Sequence, residues 1–237
     1  MIKALTFDLW NTLIADDHAD YSKRRIAILV HVCERQQCFR DVSAVREAYQ
    51  SATRLWEECW RVKRKGISIH QLVAHIFETL NVRLEQTIQE EVVNRFGGAV
   101  LDDPPRMLDF AAAVLEVLHT KYRIGLICDT GFTPGRVLRQ VLKNHNILQY
   151  FSCLLFSDEV GATKPSALIF QRALDSLNLN ADEIVHIGNL LETDIVGAKA
   201  MGMTAVWIDR DEGGDISKIS YRPDHEIKHL YELLNIL

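Results

Sequence analysis

Residues 2–13 read IKALTFDLWNTL, an apolar run that ends on Asp8 and continues with Trp10, Asn11 and Thr12. The run from Ile2 to Phe7 predicts a buried strand. Parallel α/β sheets place their chemistry at the carboxyl ends of such strands. The stretch therefore predicts an α/β sheet with a carboxylate, Asp8, at the edge where a nucleophile is expected.

Composition sets the class of protein and excludes several kinds of partner. The chain has 237 residues, 48% of them hydrophobic and 25% charged, with a net charge of −5. It is long enough for one domain with a sizeable insertion or for two small domains. The charge gives no basic field, so neither nucleic acid nor an anionic membrane is expected as a general partner. The sequence leaves the oligomeric state open.

The sequence predicts a cytoplasmic location. No stretch reaches the roughly 18 apolar residues of a membrane span, and the N-terminus runs into a strand instead of a cleavable signal. Five cysteines form no CxxC pair and leave an odd thiol, which fits a reducing compartment. They also provide no zinc ligand set.

Periodicity divides the chain into a helical block and an alternating block. From about residue 20 to 97 apolar residues recur at helical spacing, which predicts about four helices. Strands are then predicted at Arg123–Cys128, Cys153–Ser157, Ile184–Ile187, Thr204–Ile208 and His225–Ile227. Helices are predicted at Met107–Lys121, after an N-cap at Thr133, and at Ser166–Leu177, Thr193–Ala200 and His229–Leu237. Alternating strands and helices predict a doubly wound parallel sheet, with the core at 1–15 and 101–237 and a helical insertion at 16–100.

Polar residues follow four of the predicted strands. They are Asp8; Cys128, Asp129, Thr130 and Gly131; Lys164; and Asn189 with Asp194. In this order they resemble the haloacid dehalogenase (HAD) superfamily, and the segments SDEVGATKP (157–165) and HIGNLLETDIVGAKAMGM (186–203) are close to its motifs. The resemblance covers the whole chain and implies a Rossmann-like core with an α-helical cap, inserted after the first motif, that closes over the substrate.

The resemblance implies roles for these residues. Asp8 would be the nucleophile and form a covalent aspartyl intermediate. Lys164 would hold Asp8 and the negative charge of the substrate. The substrate-binding set would be Thr12, Cys128, Asp129, Thr130, Gly131 and Asn189, with Thr130 and the N–H groups at Gly131 cradling an anionic oxygen. Asp194 is a catalytic candidate that also fits a helix-capping carboxylate.

A magnesium site is a further implication. Asp8 and Asp194 would supply two carboxylates, Asn189 a neutral oxygen and Trp10 a backbone carbonyl, completed by waters. Mg²⁺ is expected if the protein is a phosphatase, and no metal is expected if it is a dehalogenase.

Three positions depart from the family pattern. Trp10 replaces the second Asp of the phosphatase motif DxDxT, and an indole has no proton to transfer near pH 7. Losing such an acid/base costs about 10²–10⁴ in rate. Dehalogenases lack that Asp and carry an aromatic residue there, because a halide leaves without a proton. Cys128 replaces a Ser or Thr for which Thr130 is a substitute, and Asn189 replaces an Asp and weakens Mg²⁺ binding.

Several other residues are candidates for the missing proton donor or for binding an anion. Asp16, Asp17 and His18 lie where a missing proton could be supplied, although a solvated loop is the simpler interpretation. The cations at 23–25 and 61–65 could attract an anion, but such runs usually face water. Tyr49, Trp56 and Trp60 fall at helical spacing, which favours the core of the insertion. His70 and His75 lack a metal-binding signature, and His186 is predicted to be a packed core residue.

Three functions remain open from the sequence. The leading hypothesis is a HAD-like hydrolase in which Asp8 attacks a small anionic substrate, most readily a phosphate monoester with Mg²⁺. The second is a metal-independent 2-haloacid dehalogenase, favoured by Trp10. The third is a non-catalytic binding protein that keeps the fold.

Overall fold

A six-stranded parallel sheet forms the centre of the molecule. The computed structural model describes residues 1–16, 21–210 and 220–237. The strands are β1 (Ala4–Phe7), β2 (Arg123–Cys128), β3 (Phe151–Phe156), β4 (Ile184–Gly188), β5 (Thr204–Ile208) and β6 (His225–Ile227). Their order is β3-β2-β1-β4-β5-β6 with parallel pairing throughout. The predicted doubly wound sheet is confirmed, and the winding direction reverses at β1, which is where such sheets bind ligands.

Both faces of the sheet are covered, which explains why its central strands are continuously apolar. Alternate residues of a strand point to opposite faces. Leu5 and Phe7 of β1 accordingly pack with helices α5 (Ala111–Leu118) and α6 (Gly135–Asn144), and Ala4 packs on the opposite face. That opposite face is covered by α8 (Ala167–Leu177) and α9 (Val196–Ala200), which follow a short helix α7 (Ser157–Val160).

Between β1 and β2 the chain forms a helical insertion with its own core. Its helices are α1 (Tyr21–Arg35), α2 (Val42–Glu57), α3 (Ile69–Thr79) and α4 (Gln86–Gly97), with a π-helical turn at Glu58–Lys63. An apolar cluster between Ile26 and Phe96 holds them together, and Phe132 from the loop after β2 joins it. Hydrophobic faces at helical spacing therefore pack against one another and form the core of the insertion. The exact boundary at residues 16–100 stays a prediction.

Several element ends differ from the sequence-based expectation. The helix expected from Met107 begins at Ala111, because Phe110 adopts a left-handed conformation (φ 65°) and Met107 pairs with Ile14. The N-cap of α6 is Pro134 and not Thr133.

The later helices are also shorter or less regular than expected. The one expected at Thr193–Ala200 is a π-helical turn, Leu191–Ile195, followed by α9. The closing helix is a 3₁₀ turn, Leu230–Glu232, followed by α10 (Leu233–Ile236). No helix in the described ranges is long and apolar enough to cross a membrane.

Candidate active site

A buried lysine lies between two carboxylates at the carboxyl ends of β1 and β4. Asp8, the first residue after β1, is 6% exposed. The ammonium Nζ of Lys164 lies 2.5 Å from Asp8 Oδ1 and 2.7 Å from Asp194 Oδ1. The three side chains come from distant parts of the chain, and the parallel topology brings them to one edge of the sheet. The structure therefore brings together the three predicted catalytic residues.

The charges of this cluster depend on one another. Burial raises the pKa of Asp8, and the neighbouring Asp194 adds to the rise while Lys164 opposes it. Burial also acts to raise the pKa of Asp194, but Lys164 and His186 outweigh it and hold this pKa well below its usual range. For Lys164, burial is outweighed by Asp194 and Asp8, so its pKa is raised well above the usual value. Lys164 and Asp194 are therefore a permanent ion pair that the solvent does not screen.

Asp194 is held in place from several sides. Its Oδ2 accepts the Leu190 N–H at 3.0 Å, and its Oδ1 lies 3.2 Å from His186 Nε2. His186 Nδ1 in turn lies 3.0 Å from the Thr6 hydroxyl. A Cβ on Gly188 would lie 2.3 Å from the Asp194 carboxyl carbon, so only glycine fits at the end of β4. His186 is buried as predicted for a core residue, but its bond to Asp194 was not anticipated.

Thr12 connects the nucleophile candidate with Asn189. Its hydroxyl lies 3.0 Å from Asp8 Oδ2, to which it donates, and 3.5 Å from Asn189 Oδ1. The Asn189 backbone carbonyl accepts the indole N–H of Trp207 at 3.0 Å. The side chain of Trp10 is partly buried against the apolar core. Trp10 therefore leaves the predicted acid position without a proton donor.

The segment after β2 is held by a network inside the core. The Thr130 hydroxyl lies 3.0 Å from both Asp158 Oδ1 and Ser157 Oγ, and the Thr130 N–H donates to Ser157 Oγ at 2.8 Å. Asp158 also accepts the Gly135 N–H at the start of α6. Cys128 is fully buried, and burial raises the pKa of its thiol well above the usual value. The substrate-binding roles of Cys128 and Thr130 stay predictions, because these contacts already occupy Thr130.

Two tryptophans of the insertion contact this segment. Trp56 and Trp60 stack at 5.2 Å with an interplanar angle of 15°. The indole N–H of Trp56 donates to the Thr130 carbonyl at 3.1 Å, and that of Trp60 donates to Asp129 Oδ2 at 3.0 Å. Trp56 packs against the core of the insertion as expected, whereas Trp60 is not part of that apolar cluster. A half-buried indole N–H needs a hydrogen-bond acceptor, and the sheet domain supplies one to each tryptophan.

The loop after Trp60 also lies directly on the core. A Cβ on Gly66 would lie 1.8 Å from the Ser157 carbonyl oxygen. The Thr163 N–H donates to the Arg64 carbonyl at 3.4 Å, and the Thr163 hydroxyl donates to the Trp60 carbonyl at 3.3 Å. Thr163 precedes Lys164, so the insertion contacts the chain immediately beside Lys164.

One predicted solvent-facing cation is buried. Arg25 is 6% exposed and donates to the Thr133 hydroxyl at 2.9 Å and to the Phe96 carbonyl at 3.3 Å. Its guanidinium also lies over the rings of Tyr21, Phe96 and Phe132. The expectation was wrong for Arg25 because a charge run shows its sign and spacing but not which member faces the core.

The remaining candidates make other contacts or lie outside the described residues. The Asp16 N–H donates to Asn11 Oδ1 at 2.9 Å, whereas Asp17 and His18 lie outside the described residues. His70 pairs with Glu90 at 3.2 Å, and His75 Nε2 lies 2.8 Å from the Ser51 hydroxyl. Neither histidine therefore contacts the lysine cluster.

The chain is similar to proteins of a known family. The family model for haloacid dehalogenase-like hydrolases matches residues 2–202. The chain belongs to this family. The match begins just before β1 and ends beyond Asp194, so it includes Asp8, Lys164, Asp194 and the helical insertion.

Relatives and solved structures of two activities resemble this HAD-like hydrolase. A glyceraldehyde 3-phosphate phosphatase of Methanopyrus kandleri is 26% identical over 100% of this chain and 97% of its own length. A 2-haloacid dehalogenase of Pseudomonas syringae pv. Tomato DC3000 is 25% identical, covers 100% and 98% of the two chains and has a TM-score of 0.75. A HAD phosphatase of Thermococcus onnurineus is 26% identical, covers 99% and 97% and has a TM-score of 0.65.

Some relatives match over a shorter part. In two Pyrococcus glyceraldehyde 3-phosphate phosphatases, from P. abyssi and P. furiosus, this chain spans 38% and 51% of their lengths. The names therefore point to both phosphatases and dehalogenases, and the choice between them depends on the site.

Proposed function

We propose that this HAD-like hydrolase cleaves small phosphate monoesters, with Asp8 as the nucleophile. The observation that carries the proposal is the Lys164 ammonium, 2.5 Å from Asp8 and 2.7 Å from Asp194. A solvent-shielded cation beside a carboxylate allows that carboxylate to approach an anionic substrate. The phosphatases among the relatives of similar length support the same choice.

The side chains divide the reaction between them. Asp8 attacks phosphorus, the bond to the leaving oxygen breaks, and an aspartyl phosphate forms that water then hydrolyses. Thr12 orients the carboxylate through its bond to Oδ2, which leaves the other oxygen beside Lys164. Asp194 keeps Lys164 charged and fixed, so the cation faces the developing negative charge without having to reorganise.

The oxygens beside Asp8 fit a weak magnesium site. Mg²⁺ is bound in proteins by one or two carboxylates together with waters and substrate phosphate. Asp8 supplies one carboxylate, and Thr12 links it to the side-chain oxygen of Asn189. The Trp10 carbonyl is a third donor. Asp194 is fully buried and already bonded to Lys164, His186 and the Leu190 N–H, so we assign it to the cation and not to the metal.

The metal would supply charge that the chain lacks. The two carboxylates Asp8 and Asp194 face the single cation Lys164, so the cluster is net negative before a phosphate arrives. When bound beside Asp8, Mg²⁺ would offset this charge and would polarise the phosphate oxygens. No group of three or more His, Cys, Asp and Glu side chains in the described ranges forms a tighter metal site.

The test is phosphate release from a panel of sugar, triose and alkyl phosphates, with Mg²⁺ or with chelator. Asp8→Asn keeps the shape of the side chain and removes the nucleophile, so activity should fall on the order of 10⁴-fold or more. Asp182→Asn is the matched control and should keep activity. Asp182 is exposed and lies in the turn Ala181–Glu183, just before β4. Phosphate release that survives in Asp8→Asn, or is absent from the wild type, contradicts the proposal.

A 2-haloacid dehalogenase is the second candidate. It is favoured by Trp10, which supplies no proton and suits a halide leaving group, and by the similarity to the Pseudomonas syringae enzyme. A single turnover in ¹⁸O-labelled water separates the two. Water attacks phosphorus in a phosphatase, so the label enters phosphate. Water attacks the carboxyl carbon of the aspartyl ester in a dehalogenase, so the label enters Asp8.

A further inference from the structure

The residues assigned to the proposed reaction include no acid that protonates the leaving group. Cleaving an alkyl phosphate releases an alkoxide that needs a proton, and a positioned acid contributes about 10²–10⁴ in rate. Trp10 occupies the place of the usual acid and its indole packs against the core. A different group has to supply the proton, and the described residues of the core offer a candidate.

Asp129 is placed between the catalytic lysine and the insertion. It follows β2 directly, and β2 is paired with β1, so it lies at the same sheet edge as Asp8. Its Oδ1 accepts the backbone N–H of Lys164 at 3.0 Å, and its Oδ2 accepts the Trp60 indole N–H at 3.0 Å. Each carboxylate oxygen has two acceptor positions, so both oxygens retain one.

Asp129 contacts the insertion, and the leaving group of the proposed reaction would lie on that side of Asp8. Phosphoryl transfer keeps the attacking and leaving oxygens roughly in line. Asp8 attacks from the sheet, so the leaving oxygen points away from the sheet and toward the insertion. Asp129 is the carboxyl group that connects the two, because Trp60 belongs to the insertion and Lys164 to the core.

The surroundings of Asp129 suit a group that gains and loses a proton. Burial raises the pKa of Asp129 to about 6, with Lys164 opposing the rise and Asp194 adding to it. The hydrogen bond from the Trp60 indole N–H opposes the effect of burial and lowers the pKa of Asp129. A pKa near the working pH is the condition for serving as acid in one step and as base in the next.

The other protonated groups nearby do not fit this role. The Cys128 thiol is fully buried, and its pKa is raised well above the usual value. Asp158 faces the start of α6, where it accepts the Gly135 N–H and the Thr130 hydroxyl.

We propose that Asp129 is a further catalytic residue, the general acid and base that replaces the side chain missing at Trp10. This rests on the proposed phosphatase function. In the first step Asp8 forms the bond to phosphorus, the bond to the leaving oxygen breaks, and the Asp129 proton moves to that oxygen. In the second step the Asp129 carboxylate takes a proton from water, the water oxygen bonds to phosphorus, and the bond to Asp8 breaks, which restores both residues.

The test compares leaving groups in Asp129→Asn. A nitrophenolate leaves without a proton, whereas a primary alkoxide does not. With p-nitrophenyl phosphate the variant should release a burst of about one nitrophenolate per enzyme at a rate within about threefold of the wild type, and then turn over slowly because the base is missing. With a primary alkyl phosphate, formation of the acid-quenched aspartyl phosphate should slow about 10²–10⁴-fold.

The outcomes separate this inference from the function on which it rests. If the wild type releases no phosphate in an Asp8-dependent way, the proposed function is wrong and the inference falls with it. If the wild type is active and Asp129→Asn slows both substrates equally, only the inference is overturned, because Asp129 then has a structural role.

A second variant keeps the test independent of folding. Trp60→Phe retains the carboxyl group and removes its hydrogen-bond donor. Its activity on the alkyl phosphate should persist, with the pH profile displaced. Loss of alkyl phosphate cleavage in Trp60→Phe equal to that in Asp129→Asn also overturns the inference.

Discussion

The lysine cluster and the contact between Asp129 and the insertion are two carboxylate sites built in opposite ways. Lys164 and Asp194 are 2% and 0% exposed, and each charge meets an opposite charge within 2.7 Å. Within the described part of the chain, the Asp129 carboxylate accepts two N–H groups, one of them from the insertion. A nucleophile benefits from fixed geometry and permanent charge, whereas an acid and base benefits from a carboxyl group that changes its charge. The difference assigns the rigid site to Asp8 and the titrating site to Asp129.

The largest expected effect on stability comes from removing Lys164, the cation between Asp8 and Asp194. Lys164→Met leaves Asp8 and Asp194 buried without their cation, so the free energy of unfolding should fall by about 3–5 kcal/mol. Lys199→Met is the matched control, since Lys199 pairs with Asp224 at the surface and should cost about 1 kcal/mol or less. Urea denaturation of both variants measures the difference. Equal losses would show that the buried ion pair has no special weight.

A smaller effect concerns the pH dependence of stability. The folded pKa of Asp129 is about 6 and its ordinary value is 3.8, so the folded state binds the extra proton between these values. Stability should therefore fall as the pH rises from about 4 to about 6, and Asp129→Asn should lack about 2 kcal/mol of that fall. Denaturation midpoints of both proteins across this range measure it. Parallel curves would contradict a raised pKa at Asp129.

The smallest effect distinguishes two neighbouring tryptophans. Trp60→Phe removes the N–H that lowers the pKa of Asp129, so the limb of the pH–rate profile that reports Asp129 should move to higher pH by less than about one unit. Trp56→Phe removes a similar N–H from the Thr130 carbonyl and should leave that limb unchanged. Profiles of kcat against pH for both variants decide this. The same shift in both would assign it to a general loosening of the insertion.

The two sites also differ in how far the sequence predicts them. Asp8, Lys164 and Asp194 follow apolar strands, and a parallel sheet brings all strand ends to one edge, so their meeting is predictable. The parallel direction of the strands follows from the same alternation of strands and helices.

The contact between the insertion and the core is not predictable in this way. Helical spacing places Trp56 and Trp60 on one face but does not say whether that face meets the insertion's own core or the sheet domain. Their indole N–H groups are the signal, since a stripe buried within an apolar core would leave them without acceptors. Arg25 and the bond between His186 and Asp194 depend on tertiary packing, and spacing in the sequence carries no record of it.

The central claim is that Asp8 forms a covalent bond to the phosphoryl group of the substrate. Acid-quenching the wild type during turnover of a phosphate monoester, followed by mass spectrometry of the peptide that contains Asp8, tests it most directly. We expect a phosphoryl group on Asp8. With p-nitrophenyl phosphate we expect it to be enriched in Asp129→Asn, because formation of the intermediate is then nearly unchanged while its hydrolysis is slowed. Turnover without phosphate on Asp8, in both proteins, would contradict the account.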